Sequence, residues 1–293
     1  LGSGATAEMV AYYPFNGNTN DESGNGNDGV NYGATLTTDR FSNTNSAYSF
    51  DGINDYISII KYDDLNPNSI TLSVWVNIPE IPTSLSYIIA NKGATVDPPD
   101  DPYQIYLDTD GKINAFFDGN NGATNMELKS NNILEVNTWY HIVASYDENT
   151  GVGSLFVDNQ NENSLTQVMD LTSNELGIRI GVQASSTGAP YNGYFNGVID
   201  DIRIYNYALS ESQIDELFHE NGWSGDSGLP VVTTYSITDI TETSAQGGGN
   251  VVNEGTSSVT ARGVVWSTTQ NPTLVSNQGY TTNDSGIGEF ESS

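Results

Sequence analysis

Hydrophobic and polar residues alternate along much of the chain, which predicts short β-strands separated by polar turns. The clearest alternation runs from Ser69 to Ile78. One set of positions in it is aliphatic, namely Ile70, Leu72, Val74, Val76 and Ile78, and the other set is Thr71, Ser73, Trp75 and Asn77. Because successive side chains of a strand point to opposite faces of its sheet, this pattern predicts a sheet with one dry face.

Other segments of the first 223 residues have the same character, and only one is typical of a helix. The further predicted strands are Met9 to Phe15, Ser46 to Phe50, Asp55 to Ile59, Ser86 to Asn91, Trp139 to Tyr146, Gly153 to Asn159 and Ile178 to Val182. The predicted helix runs from Ser210 to Asn221, with Ser210 at its N-terminal cap and an apolar stripe that includes Ile214 and Leu217.

The segment from Tyr103 to Phe117 predicts a hairpin whose register follows from its pattern. If Asp108 faces Lys112, then Leu107 pairs with Ile113 on the core face, whereas a two-residue Asp-Gly turn would break the pattern. The opposite face then carries one polar and aromatic patch, formed by Gln104, Tyr106, Asn114 and Phe116.

The stretch from Val198 to Tyr205 is predicted to be the strand that closes the fold, and it contains an acidic residue in an apolar pattern. Counting by twos places Asp200 on one face with Val198, Ile202 and Ile204. Because a lone buried charge is costly, Asp200 needs backbone donors, a cation or a metal ion. The Asn- and Asp-rich loop at residues 15–29 could complete a metal site with it.

The composition excludes several partners. Eight basic residues against 37 acidic ones give a net charge of −29. Nucleic acid is excluded, because phosphate binding needs clustered Lys and Arg, and an anionic membrane surface is disfavoured for the same reason. The sequence contains no run of 18 apolar residues, so it does not predict a membrane-spanning segment. It also contains no cysteine, so disulfides cannot be used to infer a cellular compartment.

The composition changes after Trp223, which predicts two domains. Residues 1–223 form the first, residues 224–228 read as a linker, and residues 229–293 form a second, all-β unit. The second unit has about 65 residues, whereas a seven-stranded sandwich needs roughly 90 to 100, so we expect it to be truncated.

A family resemblance rests on an ordered set of segments. They are YYPFNGNTNDESGNGNDG, SFDGINDYI, SITLSVWV, TWYHIVASYD, LFVDN and GVIDDIRIYNYALSESQI. Together they resemble the laminin-G-like, concanavalin A-like lectin superfamily. The resemblance implies an all-β jelly-roll sandwich of two antiparallel sheets, usually a bound calcium and often glycan binding. The segment from Thr238 to Thr273 resembles fibronectin-III or immunoglobulin-like repeats, which implies further domains of a larger, secreted or surface-exposed parent chain.

Two sets of candidate ligands follow. For Ca²⁺, which prefers six to eight oxygens, they are Asn16, Asn18, Asp21 and Asp200; strand phase favours Asp200 over Asp201. For a polysaccharide or oligosaccharide, the patch Gln104, Tyr106, Asn114 and Phe116 offers a sheet face, and Asn54, Asp55, Asp100, Asp101 and Tyr103 offer loops. The net charge favours a neutral glycan over a sulfated one, unless calcium bridges the anionic groups.

Catalysis is not predicted. The paired carboxylates of a sandwich glucanase, Glu-x-Asp-x-x-Glu, are missing from the sequence, as is the Gly-x-Ser-x-Gly elbow of a serine hydrolase. The sequence therefore predicts a non-catalytic, calcium-stabilised carbohydrate-binding module, accessory to a polysaccharide-degrading enzyme or part of an adhesin. The alternative is a structural or protein-binding segment of a surface adhesin without glycan affinity.

Overall fold

The chain divides into two units, Leu1–Asp215 and Glu216–Ser293. The first unit is built mainly from strands in which core-facing and outward-facing side chains alternate. The computed structural model describes residues 7–60, 65–91, 102–120, 122–171, 177–183, 193–223, 231–253, 258–268 and 272–292. The strands of the first unit are β1 (Met9–Tyr13), β2 (Gly29–Tyr32), β3 (Thr35–Thr37), β4 (Ala47–Asp51), β5 (Tyr56–Ile59), β6 (Ile70–Asn77), β7 (Ser86–Asn91), β8 (Tyr103–Leu107), β9 (Ile113–Gly119), β10 (Thr124–Lys129), β11 (Trp139–Asp147), β12 (Val152–Val157), β13 (Gln160–Thr166), β14 (Ile178–Ile180) and β15 (Asn196–Tyr205).

These strands form two large antiparallel sheets, as predicted for a jelly-roll sandwich. The first sheet has the order β13-β12-β11-β6-β15-β4-β3, and β1 also pairs with β15. The second sheet has the order β10-β9-β8-β7-β14-β5-β2. One hydrophobic core takes the inward side chains of both sheets, including Leu72 and Val74 from β6 and Ile105 and Leu107 from β8.

The outer face of β6 differs from the expectation of a single dry face. Thr71, Ser73 and Trp75 point away from the core, yet they are also buried. Part of the cover comes from the chain that follows β15, because the Thr71 hydroxyl donates to the Tyr207 carbonyl (2.8 Å) and accepts from the Leu209 N–H (2.9 Å). Both faces of this strand are therefore dry, and the single-face prediction is wrong.

The predicted hairpin register is confirmed. The Asp108 N–H donates to the Lys112 carbonyl (2.9 Å), and Leu107 pairs with Ile113. The longer loop lets the inward residues of both strands face the same core, which is the physical reason that the sequence favours it.

A β-bulge in β15 overturns the strand-phase argument for Asp200. The register with β6 shifts between Asp200 and Arg203, and Asp201 has φ = 48°. The extra residue reverses the phase, so that Ile202 and Ile204 enter the core while Asp200 and Arg203 point outward. Asp200 therefore does not share a face with Ile202 and Ile204.

Helix α1 (Glu211–Phe218) begins where the sequence predicted. The Ser210 carbonyl accepts from the Ile214 N–H (3.0 Å), and its hydroxyl accepts from the Gln213 N–H (3.4 Å), as expected of a cap. A 3₁₀ turn follows at Glu220–Gly222. The division into units falls inside α1 rather than after Trp223, and the predicted linker lies outside the described residues.

The second unit contains short strands. They are β16 (Val231–Thr234), β17 (Gly247–Asn253), β18 (Val265–Trp266), β19 (Gly279–Tyr280) and β20 (Gly288–Ser292). Strands β16, β17 and β20 form one sheet, and β18 pairs with β19; β20 is not apparent in the sequence pattern. An open cleft of about 700 Å³ in this unit is lined in part by Ile237, Val264 and Trp266. In the described part of the chain, no helix has both the length and the apolar character needed to cross a membrane.

Candidate functional site

A tight turn between β4 and β5 forms one wall of a cleft at the end of the first unit. The Asp51 carboxylate accepts from the N–H groups of Ile53 (2.8 Å) and Asn54 (3.1 Å). Desolvation opposes the effect, but these backbone donors hold the pKa of Asp51 below its ordinary value. Gly52 has φ = +73°, and its N–H donates to the Phe195 carbonyl (3.0 Å), which ties the turn to the start of β15.

The cleft itself is a polar cavity of about 290 Å³. Its lining combines polar groups with short apolar surfaces: Asp51, Gly52, Ile53, Glu80, Pro82, Thr83, Ser84, Ser86, Leu107, Tyr194 and Asn196. The Asn196 side-chain amide donates to the Glu80 carboxylate (3.0 Å), so two segments of the chain position one acceptor. Ile53 is 74% exposed and adds an apolar surface.

This lining suits a small polyhydroxylated ligand. The carboxylates of Asp51 and Glu80 accept hydrogen bonds from hydroxyl groups, and the hydroxyl side chains nearby both donate and accept. Ile53 and Tyr194 offer apolar surface to the C–H face of a ring. A concave site with a few convergent polar groups is the usual form of a small-molecule site.

The predicted loop ligands lie at different places relative to this cleft. Asn54 is exposed in the turn beside it. Asp55 is buried and accepts from the Asp51 N–H (3.1 Å), and its other oxygen occupies the space left by the missing side chain of Gly33. Desolvation, with the neighbouring Asp51 charge, raises the pKa of Asp55. Asp55 therefore holds the turn together.

The prediction that Tyr103 is a ligand-binding loop residue is wrong, because Tyr103 lies in the core. It follows the inward phase of β8, pairs with Phe117, and donates from its hydroxyl to the Leu65 carbonyl (2.7 Å). At 1% exposure it is closed to a ligand. Asp100 and Asp101 lie outside the described residues.

The predicted patch Gln104, Tyr106, Asn114 and Phe116 does share the outer face of the second sheet. Gln104 pairs with Phe116 and Tyr106 with Asn114. The patch is closed, however: Tyr106 is 8% exposed and packs against Tyr87 with ring centroids 5.3 Å apart. The Tyr106 hydroxyl donates to the Glu127 carboxylate (2.5 Å). Burial, followed by the contact with Glu127, raises the pKa of Tyr106 well above its ordinary value.

In the first loop, the candidate metal ligands are engaged in local hydrogen bonds. The Asp21 carboxylate accepts from the N–H groups of Tyr12 (2.9 Å), Ser23 (2.9 Å) and Asn27 (2.9 Å). Although burial opposes the shift, these and the Ser23 hydroxyl lower the pKa of Asp21.

The asparagine candidates take part in the same loop. The side-chain oxygen of Asn18 accepts from the Asn20 N–H (2.8 Å), and the Asn18 amide donates to the Asn16 carbonyl (3.3 Å). These contacts are those of a turn-rich loop that stabilises itself.

Asp200 is held by an arginine. Arg40 donates from Nη1 to Asp200 (2.8 Å) and from Nη2 to Asp201 (2.8 Å), and the Nε of Arg203 contacts the other Asp201 oxygen (3.0 Å). The Arg40 guanidinium also lies 4.4 Å from the centre of the Trp75 ring. We call Arg40, Asp200, Asp201 and Arg203 the arginine clasp, in which two guanidinium groups contact two carboxyl groups.

Of the three partners expected for Asp200, namely backbone donors, a cation or a metal ion, the structure shows a cation, the Arg40 guanidinium. Burial raises the pKa of Asp200, and the Arg40 guanidinium opposes that rise. A calcium ion beside Asp200 would face a guanidinium of like charge, so Asp200 does not fit a calcium ligand in this arrangement. Within the described ranges, no three acidic or histidine side chains form a group that could hold a metal ion.

A buried serine–histidine pair lies beside the arginine clasp. The Ser73 hydroxyl and His141 Nε2 are 2.8 Å apart, and the His141 ring stacks on Trp75 at 4.8 Å. Burial, with the Arg40 and Arg203 charges, lowers the pKa of His141 to about 3. Because both side chains are buried, this pair packs the outer face of the sheet rather than meeting a substrate.

Sequence reasoning missed the clasp arginine Arg40 and the cleft residues Glu80, Tyr194 and Asn196. A signal existed for Arg40: in a chain with eight basic residues, each one is a candidate partner for a buried carboxylate. The cleft residues gave no such signal, because Glu80 is more than 110 residues from Tyr194 and Asn196 in the sequence, and only the fold brings these segments together.

Solved structures support the fold. Domain 4 of AbnA, a GH43 extracellular arabinanase from Geobacillus stearothermophilus solved in complex with arabinotriose, has a TM-score of 0.57 and 20% identity, covering 72% of this chain and 98% of that one. A Trypanosoma rangeli sialidase mutant has a TM-score of 0.53 and 19% identity, covering 72% of this chain and 32% of the sialidase. The receptor-binding domain of a botulinum neurotoxin C/D mosaic has a TM-score of 0.58 and 10% identity, covering 96% of this chain and 79% of that domain.

A family model covers more than half of the chain. It matches residues 51–215 and describes the concanavalin A-like lectin/glucanase superfamily, in its laminin G form. The search of curated proteins finds no match. The likeness of the second unit to fibronectin-III or immunoglobulin repeats stays a prediction. The match over residues 51–215 and the two-sheet sandwich together show that the chain belongs to the concanavalin A-like lectin/glucanase superfamily.

Proposed function

We propose that the first unit is a non-catalytic carbohydrate-binding module of a secreted or surface protein, and that the cleft between the β4–β5 turn and the start of β15 holds the sugar. The cleft carries the proposal, because it combines fixed hydroxyl-binding acceptors with exposed apolar surface. Similarity of fold to an arabinanase domain solved with arabinotriose supports the ligand class. At about 290 Å³, near the lower end for ligand pockets, the cleft suits one or two sugar rings.

Replacing Glu80 with alanine tests the cleft. We expect glycan affinity to fall at least tenfold, which corresponds to about 1.4 kcal/mol, because the variant removes one acceptor and frees the Asn196 amide that it holds. The measurement is calorimetric titration with whichever neutral oligosaccharides a glycan panel identifies. Glu135→Ala is the matched control, since it removes an exposed carboxylate that does not line the cleft.

Equal affinity of Glu80→Ala and the control would remove the cleft from the binding site. No binding of the unaltered protein to any glycan would instead favour a structural or protein-binding segment of an adhesin. The closed outer-face patch around Tyr106 is the observation that favours this second candidate.

Calcium stabilisation stays a prediction of the sequence, and we assign no residue to the ion. If calcium binds the native state, mass action raises its unfolding midpoint. Scanning calorimetry before and after exhaustive chelation measures this, and a fall in the midpoint is the expected result. If chelation leaves the unfolding midpoint unchanged and re-added calcium does not raise it, the prediction of calcium stabilisation is contradicted.

A further inference from the structure

The outer face of the second sheet carries a second group of side chains, near its β2 edge. Tyr32 pairs with Tyr56, and Val30 with Ser58, across β2 and β5. Ser58 in turn pairs with Arg179 of β14. Since Ile57, Ile178 and Ile180 point into the core, their neighbours Tyr56, Ser58 and Arg179 point outward. We call Tyr32, Tyr56 and Arg179 the edge patch.

The two tyrosines of the edge patch form a stacked aromatic pair, in which Tyr32 is exposed and Tyr56 is half-buried. Their ring centroids lie 4.6 Å apart, with planes only 9° from parallel. Tyr32 is 45% exposed and Val30 beside it is 46% exposed. This contrasts with Tyr106 on the same sheet, whose ring is enclosed. A stacked tyrosine pair with one exposed ring suits a ligand with one apolar face and hydroxyl groups around it.

Arg179 supplies a positive charge to the edge patch. Among the described residues, no carboxylate forms an ion pair with it, and the one hydrogen bond of its guanidinium runs from Nη1 to the carbonyl of the preceding residue, Ile178 (3.1 Å). Its Nε–H is buried without an acceptor. In contrast, Arg40, Arg203 and Arg262 are each paired with an aspartate. A guanidinium with unused donors fits the two oxygens of a carboxylate.

The surroundings of Arg179 leave its charge unopposed along its own row of the sheet. Its direct neighbours across the strands are Ser58 and Ala90, which are small and uncharged. Beyond Ala90, the same row continues through Gln104 and Phe116 to Glu127 on β10. That carboxylate is four strands away, or about 19 Å at the usual strand spacing, and it is engaged by the Tyr106 hydroxyl.

We propose that the edge patch binds a sugar that carries a carboxylate, as in a uronic-acid polysaccharide. Arg179 takes the carboxylate, and the Tyr32–Tyr56 pair takes the apolar face of a sugar ring. Tyr56 lies diagonal to Arg179 on the sheet, a separation of about 7–8 Å between such positions, which is within reach of one sugar unit and its neighbour. This site is separate from the cleft and does not depend on the cleft's affinity.

The net charge of −29 does not forbid this ligand. Charges farther away than the Debye length of about 8 Å at physiological salt are largely screened, whereas a carboxylate in contact with Arg179 is not. Local pairing therefore decides affinity, and the overall charge mainly slows encounter. The expectation of a neutral glycan holds for the cleft and not for the edge patch.

The test uses trigalacturonate and its methyl ester as probes, with the full chain in a chelating buffer so that calcium cannot bridge two carboxylates. We expect the acid to bind at least tenfold more tightly than the ester. Arg179→Gln should abolish that preference, Arg179→Lys should keep part of it, and Tyr32→Ala should weaken both probes. Lys112→Gln is the matched control, because it changes the net charge equally at a site away from the edge patch.

The outcomes separate this proposal from the cleft. Equal binding of acid and ester, or equal losses in Arg179→Gln and Lys112→Gln, would overturn the edge patch while neutral-glycan binding in the cleft stands. If Arg179→Gln is too unstable for a binding titration, the test compares the unaltered protein with Arg179→Lys. The quantity compared is the affinity for the acid relative to the affinity for the ester. No binding of any carbohydrate would overturn both proposals.

Discussion

Replacing Arg40 with methionine is expected to destabilise the first unit by about 3–5 kcal/mol, the cost of removing one partner from a buried ion pair. The Arg40 side chain is 3% exposed and contacts the carboxylates of both Asp200 and Asp201. Without it, Asp200 loses the guanidinium that it contacts, Asp201 keeps Arg203, and the Trp75 ring loses the cation above it.

Urea unfolding followed by tryptophan fluorescence measures this change. Lys129→Met is the control: Lys129 also contacts two aspartates, but it is exposed, and we expect little or no change. Adding Asp200→Asn and Asp201→Asn to the Arg40 variant should recover part of the loss, because neutral side chains no longer need the cation. A small effect in the Arg40 variant, similar to the control, would show that the carboxylates have another partner.

The second large effect is a loss of stability in acid caused by His141. Its pKa in the folded protein is about 3, below the ordinary value near 6.5, so the unfolded chain takes up the proton first. The stability is therefore intact above about pH 6.5 and is lost as the pH falls toward 3. Linkage predicts a loss of about 3 kcal/mol from this group between pH 6.5 and pH 4.

His141→Gln isolates this contribution, since the many carboxylates also titrate in acid and contribute equally to both proteins. Glutamine keeps a polar group for the Ser73 hydroxyl. The stability advantage of the unaltered protein should shrink from pH 7 to pH 4, as measured by paired urea titrations at each pH. A difference that stays constant with pH would show that the pKa of His141 is the same in the folded protein as in the unfolded chain.

The β8–β9 hairpin of the second sheet could be predicted because its physics is local. The β8–β9 register follows from a two-residue period and the length of one loop, so Leu107 and Ile113 were placed correctly. The face of β15 on which Asp200 lies was not predicted correctly. The left-handed backbone at Asp201 shifts the alternation, and the contacts of Asp201 include residues distant in sequence such as Arg40. A bulge adds one residue to the count, and alternation alone does not reveal it.

The candidate sites show the same limit. The sequence placed Gln104, Tyr106, Asn114 and Phe116 on one face, as the structure has them, but exposure depends on what lies over that face. The cleft and the edge patch each join segments that are distant in sequence, such as Glu80 with Asn196 and Ser58 with Arg179. Their composition is ordinary, and only pairing across strands brings them together.

The position of β15 in its sheet has a consequence for biosynthesis. This strand pairs with β6 along one side, and along the other with β4 at its first half and β1 at its second. Strands β1, β4 and β6 therefore cannot complete their pairing until β15, which ends at Tyr205, has been synthesised. Until then these strands have unpaired edges. Folding that depends on such distant pairings is slow, so the nascent polypeptide should need protection from aggregation until Tyr205 has emerged from the ribosome.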